Sequence, residues 1–335
     1  MEADIGNAVA VEPSTRNPEA ETPFLPWCVY SHEYFVDMGD HVFPVEKYRL
    51  TYAALVEEGT LGPSEVLEPE PAPEEDLLRV HTREYLAHLR ALAGYGWGLL
   101  TPDTPVSPEI LDKAILAAGG TTLAARVALE NGAALHLSGG FHHAFADHGE
   151  GFCYVNDAAV AIRRLQDDGD IGTAAVIDCD LHQGNGTAAL FGQCPSVFTF
   201  SIHEEDNYPL LKPPSDLDTG LPWGCRDEEY LAGVQAGVKA AVEDQPPDLA
   251  IYLAGADPYE GDLLGGLAVT MQALRERDEL VLRTCAEQRV PVAVVLAGGY
   301  ARRTEDTVAI HRATAREVKR VLTRLAGASS AQSLS

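Results

Sequence analysis

The chain has 335 residues, 46% of them hydrophobic, and a formal net charge of −27; it can build a sizeable core in one large or two ordinary domains. A field of that sign repels nucleic acid and favours cationic partners such as lysine-rich peptides or polyamines, unless it serves only solubility. No apolar run reaches the roughly 18 residues of a membrane helix, the start Met1-Glu2-Ala3-Asp4 is not a signal peptide, and the six cysteines are scattered without a Cys-x-x-Cys, which suits a reducing cytoplasm.

Residues 1–22 are polar with Pro13 and Pro18 and read as a flexible tail; 327–335 read as a second one, leaving 23–326 as the folded domain. The first strand is expected at 26–30 and the first helix at 45–58. The Pro-rich acidic stretch 62–76 reads as an exposed loop. Beyond it, helices are expected at 83–94, 108–130, 156–167, 227–243, 271–288 and 305–325. They alternate with strands at 133–137, 174–179, 196–202, 249–254 and 292–297. This alternation predicts a single three-layer α/β/α domain around a mainly parallel sheet, with the site beyond the carboxyl ends of the strands. The near-continuous apolar runs Leu249–Leu253 and Val292–Leu296 fit strands buried on both faces.

The turns at the strand ends carry the chemistry. After 133–137 come Gly139-Gly140 and then His142 and His143. Adjacent histidines point in different directions, so each needs its own orienting partner; Asp178 and Asn185 are the candidates. Asn156 or Asp157 suits a helix cap, and Phe152 by itself fits the core better than a pocket. After 174–179, Asp178, Asp180 and His182 alternate and begin on one side of the backbone. Two oxygens and a nitrogen there suggest a divalent metal with room for water. Asp257, after 249–254, is a further candidate, giving an Asp180/His182/Asp257 set. Tyr300, after Gly298-Gly299, can donate to a developing oxyanion.

These pieces resemble the zinc-dependent histone deacetylases, their bacterial homologues and the arginase-like fold they share. The motifs are Gly139-Gly140-Phe141-His142-His143, Gly151-Phe152-Cys153-Tyr154, Asp178-x-Asp180-x-His182, Gly255-Ala256-Asp257 and Gly299-Tyr300, spread over roughly 25–325. Gln183-Gly184-Asn185-Gly186, the run from Tyr259 to Leu267, and Arg277-Asp278-Glu279-Leu280 look closer to the class IV branch than to class I. The resemblance implies hydrolysis of N-ε-acyl-lysine, in proteins or peptides and including long acyl chains. Zn2+ would be held by Asp180, His182 and Asp257. His143 would be general base and then acid, His142 its electrostatic partner beside Asp178, and Tyr300 the oxyanion donor. Gly151 would accept from the scissile amide, and Phe152, Tyr208 and Leu264 would line the acyl-lysine tunnel. It further implies structural K+ at Asp178, Asp180, His182, Ser201 and Ile202, and a second K+ at Phe191, Cys194 and Val197. Competing readings are an acetylpolyamine or small-molecule amidohydrolase, a two-manganese guanidinium hydrolase, and a non-catalytic acyl-lysine-binding scaffold.

Overall fold

A computed structural model describes residues 26–38 and 41–332; the tail expected at 1–22 lies outside them. The strands are β1 (Cys28–Val29), β2 (Val66–Leu67), β3 (Gly98–Thr101), β4 (Thr104–Val106), β5 (Ala133–His136), β6 (Ala174–Asp178), β7 (Val197–Glu204), β8 (Leu217–Leu221), β9 (Leu249–Leu253) and β10 (Val292–Val295). The α-helices are α1 (Glu46–Glu57), α2 (Glu74–Leu77), α3 (Arg83–Gly94), α4 (Pro108–Asn131), α5 (Asp157–Asp168), α6 (Asn185–Phe191), α7 (Asp227–Val238), α8 (Met271–Gln288) and α9 (Thr304–Gln332). One eight-stranded sheet runs β2-β1-β5-β10-β9-β6-β7-β8, and every pairing in it is parallel. β3 and β4 form a separate antiparallel hairpin.

β9 and β10 are buried at every position, because helices cover both faces, and their sequences therefore read as unbroken apolar runs. One core cluster holds Leu135, Ile177, Tyr252 and Val294; the other holds Ala134, Val176, Ile251 and Val295. Local chemistry sets the helix ends. Ser107 caps α4 by accepting from the Ile110 amide, Pro108 occupies its first turn, and Gly132 closes it in the left-handed conformation. Asn156 does the same for α5, accepting from the Ala159 amide.

Three expectations need correction. Stretch 62–76 is not simply an exposed loop: it holds a 3-10 turn over Pro63–Glu65, β2 and the start of α2. Glu65 and Asp76 within it are buried and paired, with Lys319 and with Arg79 and Arg164 respectively. Helix 227–243 changes to a π turn over Lys239–Glu243. The last helix runs to Gln332, past the end expected at 325, since a lone Gly327 among helix formers lowers propensity without stopping the helix.

The register matters most for the site. His136 pairs with Val295, Val295 with Leu253, Leu253 with Asp178, and Asp178 with Ser201. Five adjacent strands thus bring one row of residues to the same level, and the loops leaving them converge at that edge.

Candidate active site

The loops after β6 and β9 place Asp180, His182 and Asp257 so that one donor atom from each lies within 4.8 Å of the others. His182 Nδ1 sits 3.2 Å from Asp180 Oδ1 and 3.3 Å from Asp257 Oδ2. Backbone amides fix both carboxylates: Gly298 N–H donates to Asp180 Oδ2 at 2.7 Å, and Leu181 N–H to Asp257 Oδ1 at 3.0 Å. The remaining oxygen, Asp257 Oδ2, is buried without a hydrogen bond. A Cβ on Gly298 would stand 2.1 Å from that oxygen and 2.6 Å from Asp180 Oδ2, so only glycine leaves the pair room. Burial pushes Asp257 up to about 6. Burial would lower His182, but the two carboxylates outweigh it and raise the imidazole to about 10. Two buried carboxylates and an imidazole, with one oxygen otherwise orphaned, fit a divalent cation.

Behind this trio, Asp178 at the end of β6 takes a 2.7 Å hydrogen bond with His142 Nδ1. Burial opposes protonation of His142, yet Asp178 and Asp180 lift it to about 9. His143 Nδ1 lies 2.7 Å from Asn185 Oδ1 instead. With a neutral partner, burial and the charges of His142 and His182 hold His143 well below the usual imidazole range. The two neighbours in sequence therefore have opposite proton preferences, set by carboxylate against amide.

A cavity of about 220 Å³ leads to this point, lined by Asp103, His143, Gly151, Phe152, His182, Asn207, Tyr208, Leu264 and Tyr300. Phe152 is a wall residue, held at φ 66°, although its type alone suggested core. Tyr208 presents its ring edge-on to His143, with centroids 5.0 Å apart. Tyr300 is placed by its backbone: its amide donates to Asp262 at 2.7 Å, and the same carboxylate takes the Leu264 amide at 2.8 Å.

Ser201 lies directly across from Asp178, with Ile202 next to it on β7. At the end of α6 and in the loop after it, Phe191 O and Cys194 O already accept backbone amides, and the Arg163 guanidinium lies 3.4 Å from Cys194 Sγ. The thiol is thus engaged, and an ion there would rely on backbone oxygen.

Several residues at the site gave no signal in the sequence. Lys47 on α1 is fully buried, donates to Ala297 O at 2.8 Å and lies over the Phe43, Tyr48 and Tyr300 rings. Lys113 on α4 faces the same Phe43 and Tyr48 rings from elsewhere, and burial followed by Lys47's charge brings it down to about 7. Both helical lysines look like ordinary surface positions. Glu150, Asp103 and Asp262 were also missed, as isolated acids in an acidic chain.

Residues 41–316 match the family model described as the histone deacetylase domain. An uncharacterised protein of Picosynechococcus is 40% identical over 290 residues, covering 84% of this chain and 95% of that protein. Histone deacetylase 2 of Arabidopsis thaliana is 32% identical, covering 84% of this chain and 76% of the relative. The crystal structure of the HDA15 HD domain superposes with a TM-score of 0.75 at 25% identity, covering 89% of this chain and 90% of that one. Among the described residues no helix is long and apolar enough to cross a membrane. With the fold, the site and the matched domain in agreement, this chain belongs to the histone deacetylase family.

Proposed function

We propose that this protein is a zinc-dependent amidohydrolase acting on N-ε-acyl-lysine in proteins or peptides. The observation that carries this reading is one buried Asp180/His182/Asp257 donor set, the only such group among the described residues, beside a histidine pair with opposite proton preferences. A single donor set supports one-metal chemistry over the two-manganese alternative. When bound by these three side chains, zinc would supply Lewis acidity toward the substrate carbonyl and water.

The protein's own residues do the rest. The cavity admits the lysine stem between Phe152 and Tyr208, with Leu264 lower down. The Gly151 carbonyl accepts the amide N–H. His143 takes a proton from the attacking water at the ring nitrogen turned from Asn185 and returns it to the leaving amine. His142, charged and fixed by Asp178, stabilises negative charge as it develops. The Tyr300 hydroxyl donates to the oxyanion. K+ held by Asp178, Ser201 and the backbone oxygens of Asp180, His182 and Ile202 belongs to the same proposal, as does a second K+ at Phe191, Cys194 and Val197, and a cytoplasmic setting.

Space at the bottom of the tunnel favours short acyl groups. The pocket bounded by His142, His143, Asp180, Gly298 and Tyr300 has a volume of about 20 Å³, as does the one beyond it between Phe43, Phe141 and Phe152. Such volumes suit a water or a methyl group, not a fatty chain. The test is an acyl-length series on zinc-loaded protein: acetyl-, decanoyl- and myristoyl-lysine peptides alongside acetylpolyamines. Fastest turnover of acetyl-lysine is expected; preference for acetylpolyamine would move the protein to the polyamine reading, and inertness toward all four would leave the binding scaffold.

A further inference from the structure

His143 leans on a neutral amide, and an amide has two ends. Asn185 can offer His143 either its oxygen or its NH2, and these alternatives impose opposite proton positions on the imidazole. What lies behind Asn185 therefore matters. Its Nδ2 donates to Glu150 Oε1 at 2.5 Å. The NH2 thus faces Glu150 and the oxygen faces His143. The Gly186 amide, donating to Asn185 Oδ1 at 3.0 Å, agrees with this orientation.

Glu150 is well placed for the task. Its own carbonyl takes the Cys153 amide at 2.9 Å, and the next residue, Gly151, sits so tightly on His143 that a Cβ there would stand 2.5 Å from His143 Cδ2. Tyr208, edge-on to His143 and close to the same Gly151, has its phenol held protonated by burial and by Glu150's negative charge.

We infer that Glu150 is a positioning residue for His143: through Asn185 it fixes the imidazole as the Nδ1–H tautomer and leaves Nε2 bare as the proton acceptor. The chain His143–Asn185–Glu150 puts a carboxylate one residue behind a neutral link, whereas His142 meets Asp178 directly. The step served is proton transfer by His143 in the proposed hydrolysis, so the inference rests on that reading for its meaning but not for its test.

The experiment compares the parent with Glu150→Ala, Glu150→Ser and Glu150→Gln, all zinc-loaded, by long-range 15N NMR of the His143 ring and by kcat and KM on an acetyl-lysine peptide. The parent should show the Nδ1–H form. Glu150→Ala and Glu150→Ser should show mixed tautomers and a kcat lower by roughly 10–100-fold with little change in KM, as for loss of an orienting partner behind an active group. Glu150→Gln, which can still offer an oxygen to the amide, should keep the tautomer and most of kcat. An Nε2–H form in the parent, an unchanged tautomer in both truncated variants, or a Gln variant as mixed as Ala overturns the inference. A parent that cleaves nothing would instead sink the hydrolase reading, while the NMR comparison would still decide the role of Glu150.

Discussion

Replacing Arg277 with leucine should loosen the metal site from behind. Arg277 lies on α8 with its side chain fully buried. Its Nη1 donates to Gly255 O at 2.6 Å and lies 3.4 Å from Cys179 O, tying the loop of Asp257 to the loop of Asp180. Its Nε donates to Asp278 Oδ1 at 3.0 Å, and Asp278 also accepts from the Tyr252 and Thr314 hydroxyls at 2.6 Å each. Removing one partner of a buried pair costs about 3–5 kcal/mol. The two hydroxyls still solvate Asp278 and pull that toward the low end, while the stranded Gly255 carbonyl adds about 1–3 kcal/mol. At about 2.1 cal/mol/K of unfolding entropy per residue, a net loss of about 4 kcal/mol in a domain of this size corresponds to a fall in Tm of roughly 6 °C. The double variant Arg277→Leu with Asp278→Leu removes the unpaired charge as well and should recover much of the Tm. It cannot restore the tie between the two loops, so its zinc affinity should stay roughly 10–100-fold weaker. Thermal melts by circular dichroism and zinc competition against a chelator measure the two effects separately. If Arg277→Leu melts within about 2 °C of the parent and holds zinc equally well, Arg277 does not tie the ligand loops together.

Tyr300→Phe should lower kcat by about 10²–10³-fold while zinc content stays full, as for a lost oxyanion donor; normal turnover would remove Tyr300 from the reaction. Asp180→Ala should lose stoichiometric metal, measurable by plasma emission on dialysed protein, and full occupancy would contradict its assignment as a ligand. Acid should destabilise the fold through buried neutral histidines. His81 accepts from the Asn156 amide at 3.1 Å and pairs with Phe145 O at 2.8 Å, and burial brings it down to about 4, against about 6.5 in an unfolded chain. Between these values the unfolded state binds the extra proton, so the stability is complete above pH 6.5 and is lost as pH falls toward 4, by on the order of 3 kcal/mol. His81→Gln should show a shallower decline of urea midpoint across that window; equal slopes would refute this contribution.

Much of this was written plainly in the sequence. The strands β5, β6, β9 and β10 are apolar because both faces are covered, and each ends in glycine-rich turns that carry the polar residues, so the pattern and the chemistry pointed to the same edge. Edge strand β8 was missed because only alternate residues are covered: Leu217-Asp218-Thr219-Gly220-Leu221 has no apolar run. Lys47, Lys113 and Glu150 were missed for another reason. Their roles come from loops and helices that meet only in the fold, and a helical lysine or an acid in so acidic a chain is, by itself, an ordinary surface residue. Phe152 shows the intermediate case, where residue type suggested the core and a left-handed backbone at φ 66° turned the ring into the cavity.

The common level shared by His136, Val295, Leu253 and Asp178, which end their strands, and by Ser201 within β7 also divides the molecule by how freely it can change. A one-residue slip in β6 or β9 would turn every side chain to the opposite face, scattering Asp180 and Asp257 and disrupting the core together. The metal-binding geometry and the core are thus inherited as one object. The outer surface is not so constrained: Leu210, Leu211, Trp223 and Leu263 are exposed and none is among the candidate metal donors. Substitutions can accumulate there one at a time without disturbing the donor set or the core.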